Sequence, residues 1–355
     1  MKIRIITLHS PTNCGSALQG FALYSFLNKR CIGDDVKLID YVPTYNEAEG
    51  SALRVNARKI LFWIPYQKRK RNFSDFMSRN CRFTKRYNDY DELRSNPPEA
   101  DVYISGSDQI WNPCFNCGKD PAYYLKFVTN GVKLSYASSL GTAKLSKEQL
   151  KKIASDVHDF KFVSVRENCS VSQLENAGLS KVQWVCDPTL LLSAAEYSEL
   201  AADYKSIGKY VAVYLVEHSP LLDEMLDKFR KMGYKIVGVG GYLRKYRCDI
   251  HIMDAGPSDF LGLIRDAQFV VATSFHATVF SLIFHKQFAI IPPRMNPERV
   301  EQLLEYVDLR DRIIARSSEI ENAQHVIDYN IVQRKIDELR ADSERKLLTA
   351  IEKWR

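Results

Sequence analysis

The sequence predicts an α/β protein built as two successive Rossmann-like halves. One observation is the opening stretch, which reads strand, turn, helix, strand. An apolar run over 3–8 is followed by a turn from His9 to Ser16. Leu18, Phe21, Ala22, Leu23 and Phe26 then recur at helical spacing, and 37–41 reads as a second strand. Such a βαβ unit is normally parallel and right-handed. A second observation is that the alternation stops near Asp187-Pro188-Thr189 and starts afresh near Lys209. The third is length: 355 residues suit two hydrophobic cores better than one.

Taken in order, further strands are expected at 101–104, 133–137, 162–165 and 182–185. In the second half, 210–216 reads as a strand, 220–232 as a helix, and 235–239 as a strand ending in Gly240-Gly241. A helix over 258–266 turns Leu261, Leu263 and Ile264 inward. A strand at 269–272, a helix at 277–284 and a strand at 288–291 follow, the last stopped by Pro292-Pro293. From 331 to 354 the pattern is a charged amphipathic helix. The expected domains are therefore 1–190, carrying a basic helical insertion at about 51–90, then 205–325, then a terminal helix within 326–355. No internal repeat or low-complexity tract interrupts them.

The composition, 45% hydrophobic and 26% charged, is that of a globular protein. No 18-residue apolar run is present, and 1–6 reads as a first strand rather than a signal peptide, so a cytoplasmic protein is expected. The eight cysteines are scattered, unlike a disulfide framework, and Cys114-Phe115-Asn116-Cys117 lacks the further ligands of a zinc site. No metal motif or phosphate-binding loop appears. Gly238-Val239-Gly240-Gly241 lacks the full dinucleotide fingerprint.

The net charge of +7 is local. Between Ser51 and Asn88 eleven basic residues face one acid, so that segment carries +10 and the remainder −3. Ile60-Leu61-Phe62-Trp63-Ile64-Pro65-Tyr66 lies inside it. Apolar and aromatic residues flanked by Lys and Arg suit an anionic membrane surface, giving a candidate peripheral contact through 54–86. A helix packed on its domain with a solvated basic face is the first reading of the pattern, and membrane contact, the second, is compatible with it. No nucleic-acid motif accompanies the patch, and no nucleic acid is expected as a partner.

Three segments stand where strands run into polar turns: Asn13-Cys14-Gly15-Ser16-Ala17-Leu18-Gln19, Ser105-Gly106-Ser107-Asp108-Gln109-Ile110-Trp111, and Thr273-Ser274-Phe275-His276-Ala277-Thr278-Val279-Phe280. A strand, a polar turn and a helix deliver a side chain to the carboxyl edge of a parallel sheet, where open α/β proteins bind ligands. His276 is the residue so delivered; by position alone it serves equally as a helix-capping or packing group.

These three segments, in this order, resemble the polysaccharide pyruvyl transferase family. Further likeness lies in Ser164-Val165-Arg166-Glu167-Asn168, Cys186-Asp187-Pro188-Thr189-Leu190-Leu191 and Glu298-Arg299-Val300. The resemblance implies a glycosyltransferase-B-like fold of two Rossmann-like domains facing a cleft. It further implies transfer of a pyruvyl ketal from phosphoenolpyruvate to a sugar of a cell-surface polysaccharide or its lipid-linked precursor; no cofactor is expected and, with no metal motif in the sequence, no metal.

By the same resemblance, His276 and Asp108 are the catalytic candidates. Arg166, Ser274 and Thr278 are donor-binding candidates, and Asn13, Gly15 and Trp111 are acceptor-binding candidates. Each has a plainer role open to it: Arg166 in an ion pair with Glu167 or Asp187, Asp108 as a turn cap, Trp111 as core, and Gly15 as a helix-start turn. Two departures matter. Some members carry an arginine where this chain has Ser274, and glycine is common where it has Ala277. A different donor, or another cation such as Arg294 or Arg299, is then open. The alternatives are a glycosyltransferase using a nucleotide-sugar donor and a non-catalytic carbohydrate-binding protein of the same fold. The protein is expected at the inner membrane face if the basic segment touches lipid.

Overall fold

The computed structural model describes residues 1–9, 12–45, 58–141, 144–215, 219–240, 246–293 and 296–355. Two compact units emerge. The first comprises Met1–Arg54, Met77–Leu191 and Asp337–Arg355, and the second Val55–Phe76 and Leu192–Ile336.

In the first unit, β1 (Lys2–Ile6), β2 (Asp35–Tyr41), β3 (Phe83–Tyr87), β4 (Val102–Ser105) and β5 (Val132–Ser135) form a wholly parallel sheet in the order β3-β2-β1-β4-β5. Two short strands, β6 (Ser164–Val165) and β7 (Gln183–Trp184), pair with each other. Bridges from Leu134 to Phe162 and from Ser138 to Val165 continue the parallel array past β5. β4 is buried at every position, as a strand covered on both faces requires, and its continuous apolar run is the signal the sequence carries. β3 has no such run. It is the outer strand, with Lys85 and Arg86 exposed, and it lies within the segment expected to be a helical insertion. The helical part of that segment is Arg58–Asn80.

The second unit repeats the arrangement. Strands β8 (Tyr210–Tyr214), β9 (Lys235–Val239), β10 (Ile250–Ile252), β11 (Phe269–Ala272) and β12 (Gln287–Ile290) are all parallel, in the order β10-β9-β8-β11-β12. β8 and β11 are fully buried. The helices Pro257–Asp266 and Phe275–Ile283 pack by aromatic edges: Phe280 meets Phe260 at 5.6 Å and Tyr197 at 4.9 Å, both near perpendicular. Most of this core was legible as apolar periodicity. β10 was not, because it is a three-residue outer strand.

The stretch 55–76 belongs to the second unit although the chain around it belongs to the first. Lys68 Nζ lies 2.5 Å from Asp254 Oδ2, and Asn72 Nδ2 donates to the Asp254 carbonyl at 2.9 Å, which ties the helix to the loop after β10. The terminal helix Tyr329–Glu352 is divided in the same way, at Ile336. Its first turns attach to the second unit, with His285 Nε2 2.7 Å from Gln333 Oε1. Its remainder attaches to the first, where the Ser343 hydroxyl accepts from the Cys186 N–H at 2.9 Å and Lys346 donates to the Trp184 carbonyl at 3.1 Å. Its residues are thus shared between the two units.

Candidate active site

Both sheets change direction of winding beside their first strand: between β1 and β4 in the first unit, and between β8 and β11 in the second. Beyond the carboxyl ends of strands at such a switch point lies the ligand crevice of open α/β sheets. Each of the three polar turns singled out in the sequence falls there. The segment from Asn13 follows β1, Gly106–Gln109 follows β4, and Thr273–His276 follows β11.

At the first unit's edge, Asn13 caps the helix Cys14–Arg30. Its Oδ1 accepts from the Gly15 N–H at 2.9 Å and the Ser16 N–H at 3.3 Å, satisfying donors the helix start would leave open. Asn13 remains exposed while Gly15 is buried. The Ser16 hydroxyl donates to Asp108 Oδ2 at 2.5 Å, and the Gln109 N–H donates to Asp108 Oδ1 at 2.9 Å. Asp108 holds φ at +73°, a left-handed conformation costly for a residue with a side chain. Its carbonyl is tied to the Ser139 N–H at 3.0 Å, so the turn enforces the strained geometry. Gly106 must lack a side chain, since a Cβ there would stand 2.8 Å from Thr7 Cβ.

Behind this turn lies a buried ionic layer. Arg166 Nη1 is 2.9 Å from Asp187 Oδ2 and its Nε is 3.2 Å from Glu167 Oε1. The Ser139 hydroxyl donates to Glu167 at 2.6 Å and the Ser107 hydroxyl to Asp187 at 3.3 Å. Burial alone would lower the Arg166 pKa. Glu167, Asp187 and Asp108 outweigh it and hold the guanidinium above its ordinary value, permanently charged. With 6% exposure, Arg166 holds the strand ends together in the ion pair that was its plainer sequence reading.

Trp111 requires a correction. It is fully buried, stacked on Tyr124 and edge-on to Phe160, with its indole N–H donating to the Tyr123 carbonyl at 3.3 Å. A ring with no exposed face has nothing to offer a sugar, so Trp111 is core rather than an acceptor platform.

In the second unit, β11 passes into the helix Phe275–Ile283 through Ser274, which is extended at φ −126° and ψ 135°. The helix thus begins two residues earlier than expected, and His276 lies in its first turn rather than before it. Every residue of this helix is buried, which is why so apolar a run can be a helix at all. His276 keeps 7% exposure, with Phe275 edge-on at 5.2 Å. The Ser274 side chain makes no capping hydrogen bond and no acid stands in the first turn, so the helix start stays electropositive. The Thr278 hydroxyl donates to the Ser274 carbonyl at 3.0 Å and is fully buried. Its donor role is therefore internal to the helix, a second departure from the expected ligand set.

One polar group escaped the sequence reading. His9, just past β1, is buried with Nε2 3.1 Å from Asp40 Oδ1 and Nδ1 3.2 Å from the Thr7 carbonyl. The signal available for it was its place directly after the first strand. Arg294 and Gly241 lie outside the described residues, as does Arg54 of the basic segment. Among the described residues no group of three or more His, Cys, Asp or Glu could hold a metal ion, and neither Cys114 nor Cys117 is in a disulfide.

Two parallel Rossmann-like units, each with polar turns at its switch point, define an α/β fold of the glycosyltransferase-B-like class. The chain belongs to the polysaccharide pyruvyl transferase family, whose model matches residues 13–294. No curated protein sequence matches it. Among solved structures it is similar to a UDP-N-acetylglucosamine 2-epimerase from Rickettsia bellii, with 11% identity, 99% of this chain and 96% of that one covered, and a TM-score of 0.55. It is similar also to UDP-GlcNAc 2-epimerase from Neisseria meningitidis bound to UDP-GlcNAc, at 10% identity, 99% and 100% coverage, and a TM-score of 0.53. At such identities the likeness is one of fold.

Proposed function

We propose that the protein transfers a pyruvyl unit from phosphoenolpyruvate to two hydroxyls of a sugar in a cell-surface polysaccharide or its lipid-linked precursor. The observation that carries this reading is His276, a buried imidazole in the first turn of an uncapped helix at the second unit's switch point, within the span matched by the family. The donor needs its methylene carbon protonated, so that C2 becomes electrophilic and a sugar hydroxyl adds there. The second hydroxyl then attacks C2, the C2–O bond to phosphate breaks, and a ketal and inorganic phosphate result. Of the two hydroxyl protons, one ends in the new methyl group and the other leaves with the phosphate. Histidine moves protons near neutrality with little tuning, and His276 takes that role. The start of its helix, where the Ser274 side chain makes no cap and no acid stands in the first turn, suits the phosphate. Asn13, Gly15 and Asp108 in the first unit are assigned to the acceptor, with Asp108 accepting from a sugar hydroxyl.

Exposed Trp63 and Ile64 on the basic helix, with Lys68, Lys70 and Arg71 also exposed, support peripheral contact with an anionic inner membrane face. No described helix is long and apolar enough to cross a membrane. A nucleotide-sugar donor is the competing reading, since solved structures of this fold include one bound to UDP-GlcNAc. Calorimetric titration with phosphoenolpyruvate and, separately, UDP decides between them. Saturable phosphoenolpyruvate binding together with phosphate release on adding acceptor oligosaccharide supports pyruvyl transfer. UDP binding alone replaces it with glycosyl transfer, and carbohydrate binding without either donor leaves a non-catalytic binding protein.

A further inference from the structure

Two helices start side by side at the carboxyl edge of the second sheet. β11 leads into Phe275–Ile283, and β12 leads, by way of Pro297, into Glu298–Tyr306. The two strands end level, with Ala272 paired to Ile290 and the Ile291 N–H donating to the Ala272 carbonyl at 2.9 Å. After the second helix the chain returns outside β12, where Ile313 bridges Ile290 in parallel. Both crossovers therefore run in the same direction, and right-handed crossovers of that kind put both helices on one face of the sheet. The helices pack on each other there. Packed helices lie about 8–10 Å apart, so the first turns that bear His276 and Glu298 are within reach of one small substrate.

The two starts differ in charge. The first has no acid in its opening turn, whereas the second begins on Glu298. An acid at a helix start is ordinarily explained by the macrodipole, a role that a solvated carboxylate fills. Glu298 is half-buried instead. Its Oε2 is covered, and among the described residues no hydrogen-bond donor or cation pairs with the carboxylate. A covered carboxylate oxygen without a donor is costly. An ionised carboxylate only accepts hydrogen bonds, so the ligand that suits it brings O–H groups and is not itself a phosphate. Sugar hydroxyls are the donors that the proposed reaction must carry to C2 of phosphoenolpyruvate.

We propose that Glu298 binds neighbouring hydroxyls of a sugar ring at the second unit's carboxyl edge, beside the anion taken at the start of the His276 helix. The inference rests on the transferase reading and deepens it by naming a residue that holds the hydroxyl-bearing partner. In pyruvyl transfer that ring belongs to the acceptor. With a nucleotide-sugar donor the same chemistry is offered by the ribose.

The test is calorimetric titration of the full-length protein and of Glu298→Gln and Glu298→Ala, with thermal midpoints recorded. The probes are phosphoenolpyruvate, UDP, a UDP analogue without ribose hydroxyls, and methyl glycosides of glucose, galactose and N-acetylglucosamine added over saturating phosphoenolpyruvate. The wild type is expected to bind at least one hydroxyl-bearing probe. Glu298→Ala should weaken that binding by about tenfold or more, the worth of a hydrogen bond to a charged group. Glu298→Gln, the neutral isostere, should fall between, and remains informative if Glu298→Ala does not fold. Phosphoenolpyruvate affinity should hold or rise slightly, because a negative charge leaves its surroundings. Lowered midpoints with undiminished affinities mean a macrodipole role and overturn the inference, as does a wild type that binds no hydroxyl-bearing probe. Glycoside binding that depends on Glu298 upholds the inference together with pyruvyl transfer. UDP binding that needs both Glu298 and the ribose hydroxyls upholds it and removes pyruvyl transfer. Phosphoenolpyruvate and glycoside binding indifferent to Glu298 does the reverse.

Discussion

The two units order their strands identically, each sheet running third, second, first, fourth, fifth, yet the edges they present differ in kind. The first unit's edge is a closed polar lattice. Ser16, Ser107, Ser139, Asp108, Arg166, Glu167 and Asp187 are joined by short hydrogen bonds and ion pairs. The second unit's edge carries an apolar helix with one histidine, and Arg69, from a helix far away in sequence, reaches Gly240 after β9. One topology thus supports two strategies: charge neutralised within the edge, and charge imported to it.

The comparison breaks most decisively at His276. His276→Ala should reduce phosphate release by at least about a hundredfold, within the range of lost acid–base catalysis, with the fold retained. Near-normal turnover would place the chemistry at the first unit's edge instead. The next largest effect belongs to Arg166→Ala, which strands two buried carboxylates and should cost about 3–5 kcal/mol in chemical denaturation. If stability is unchanged while phosphoenolpyruvate affinity falls, Arg166 is a ligand and the two edges are more alike than their contacts imply.

A pH-dependent difference should be smaller. Asp266 is partly desolvated, which opposes ionisation. Hydrogen bonds from Arg265 and from the Tyr204 N–H outweigh that and hold its pKa below the usual carboxylate value. A depressed carboxylate pKa stabilises the fold above the unfolded value and ceases to do so as pH falls through the folded one. Asp266→Asn should therefore cost about 1–3 kcal/mol at neutral pH and nothing in strong acid, read from denaturant midpoints at both. The smallest effect is expected from Ser16→Ala, about 1 kcal/mol from a single buried hydrogen bond, measured in the same way. Its informative readout is acceptor KM, which rises only if Asp108 contacts the sugar.

The legibility of the fold follows burial. β4, β8 and β11 are covered on both faces and wrote themselves as apolar runs. β3 and β10 are outer strands, and the Lys, Arg and His they carry hide them from any periodicity argument. The switch-point turns were legible because small polar residues interrupt those runs. Their partners were not. Trp111 reads the same whether it lines a site or fills a core, and only Tyr124, Phe160 and the Tyr123 carbonyl around it decide the matter. Arg166 likewise waits on where Asp187 falls.

The sequence by itself determined two parallel α/β halves, the polar turns that follow their strands, and a family. These follow from local period and local composition, quantities fixed within a few residues. The tertiary structure alone decided that Thr278 bonds its own helix, that Arg166 is spent within a buried ion layer, and that Arg69 reaches Gly240 across 171 positions of chain. The physical reason is that charge and hydrogen bonding act over a few ångströms of space, and chain separation carries no information about that distance.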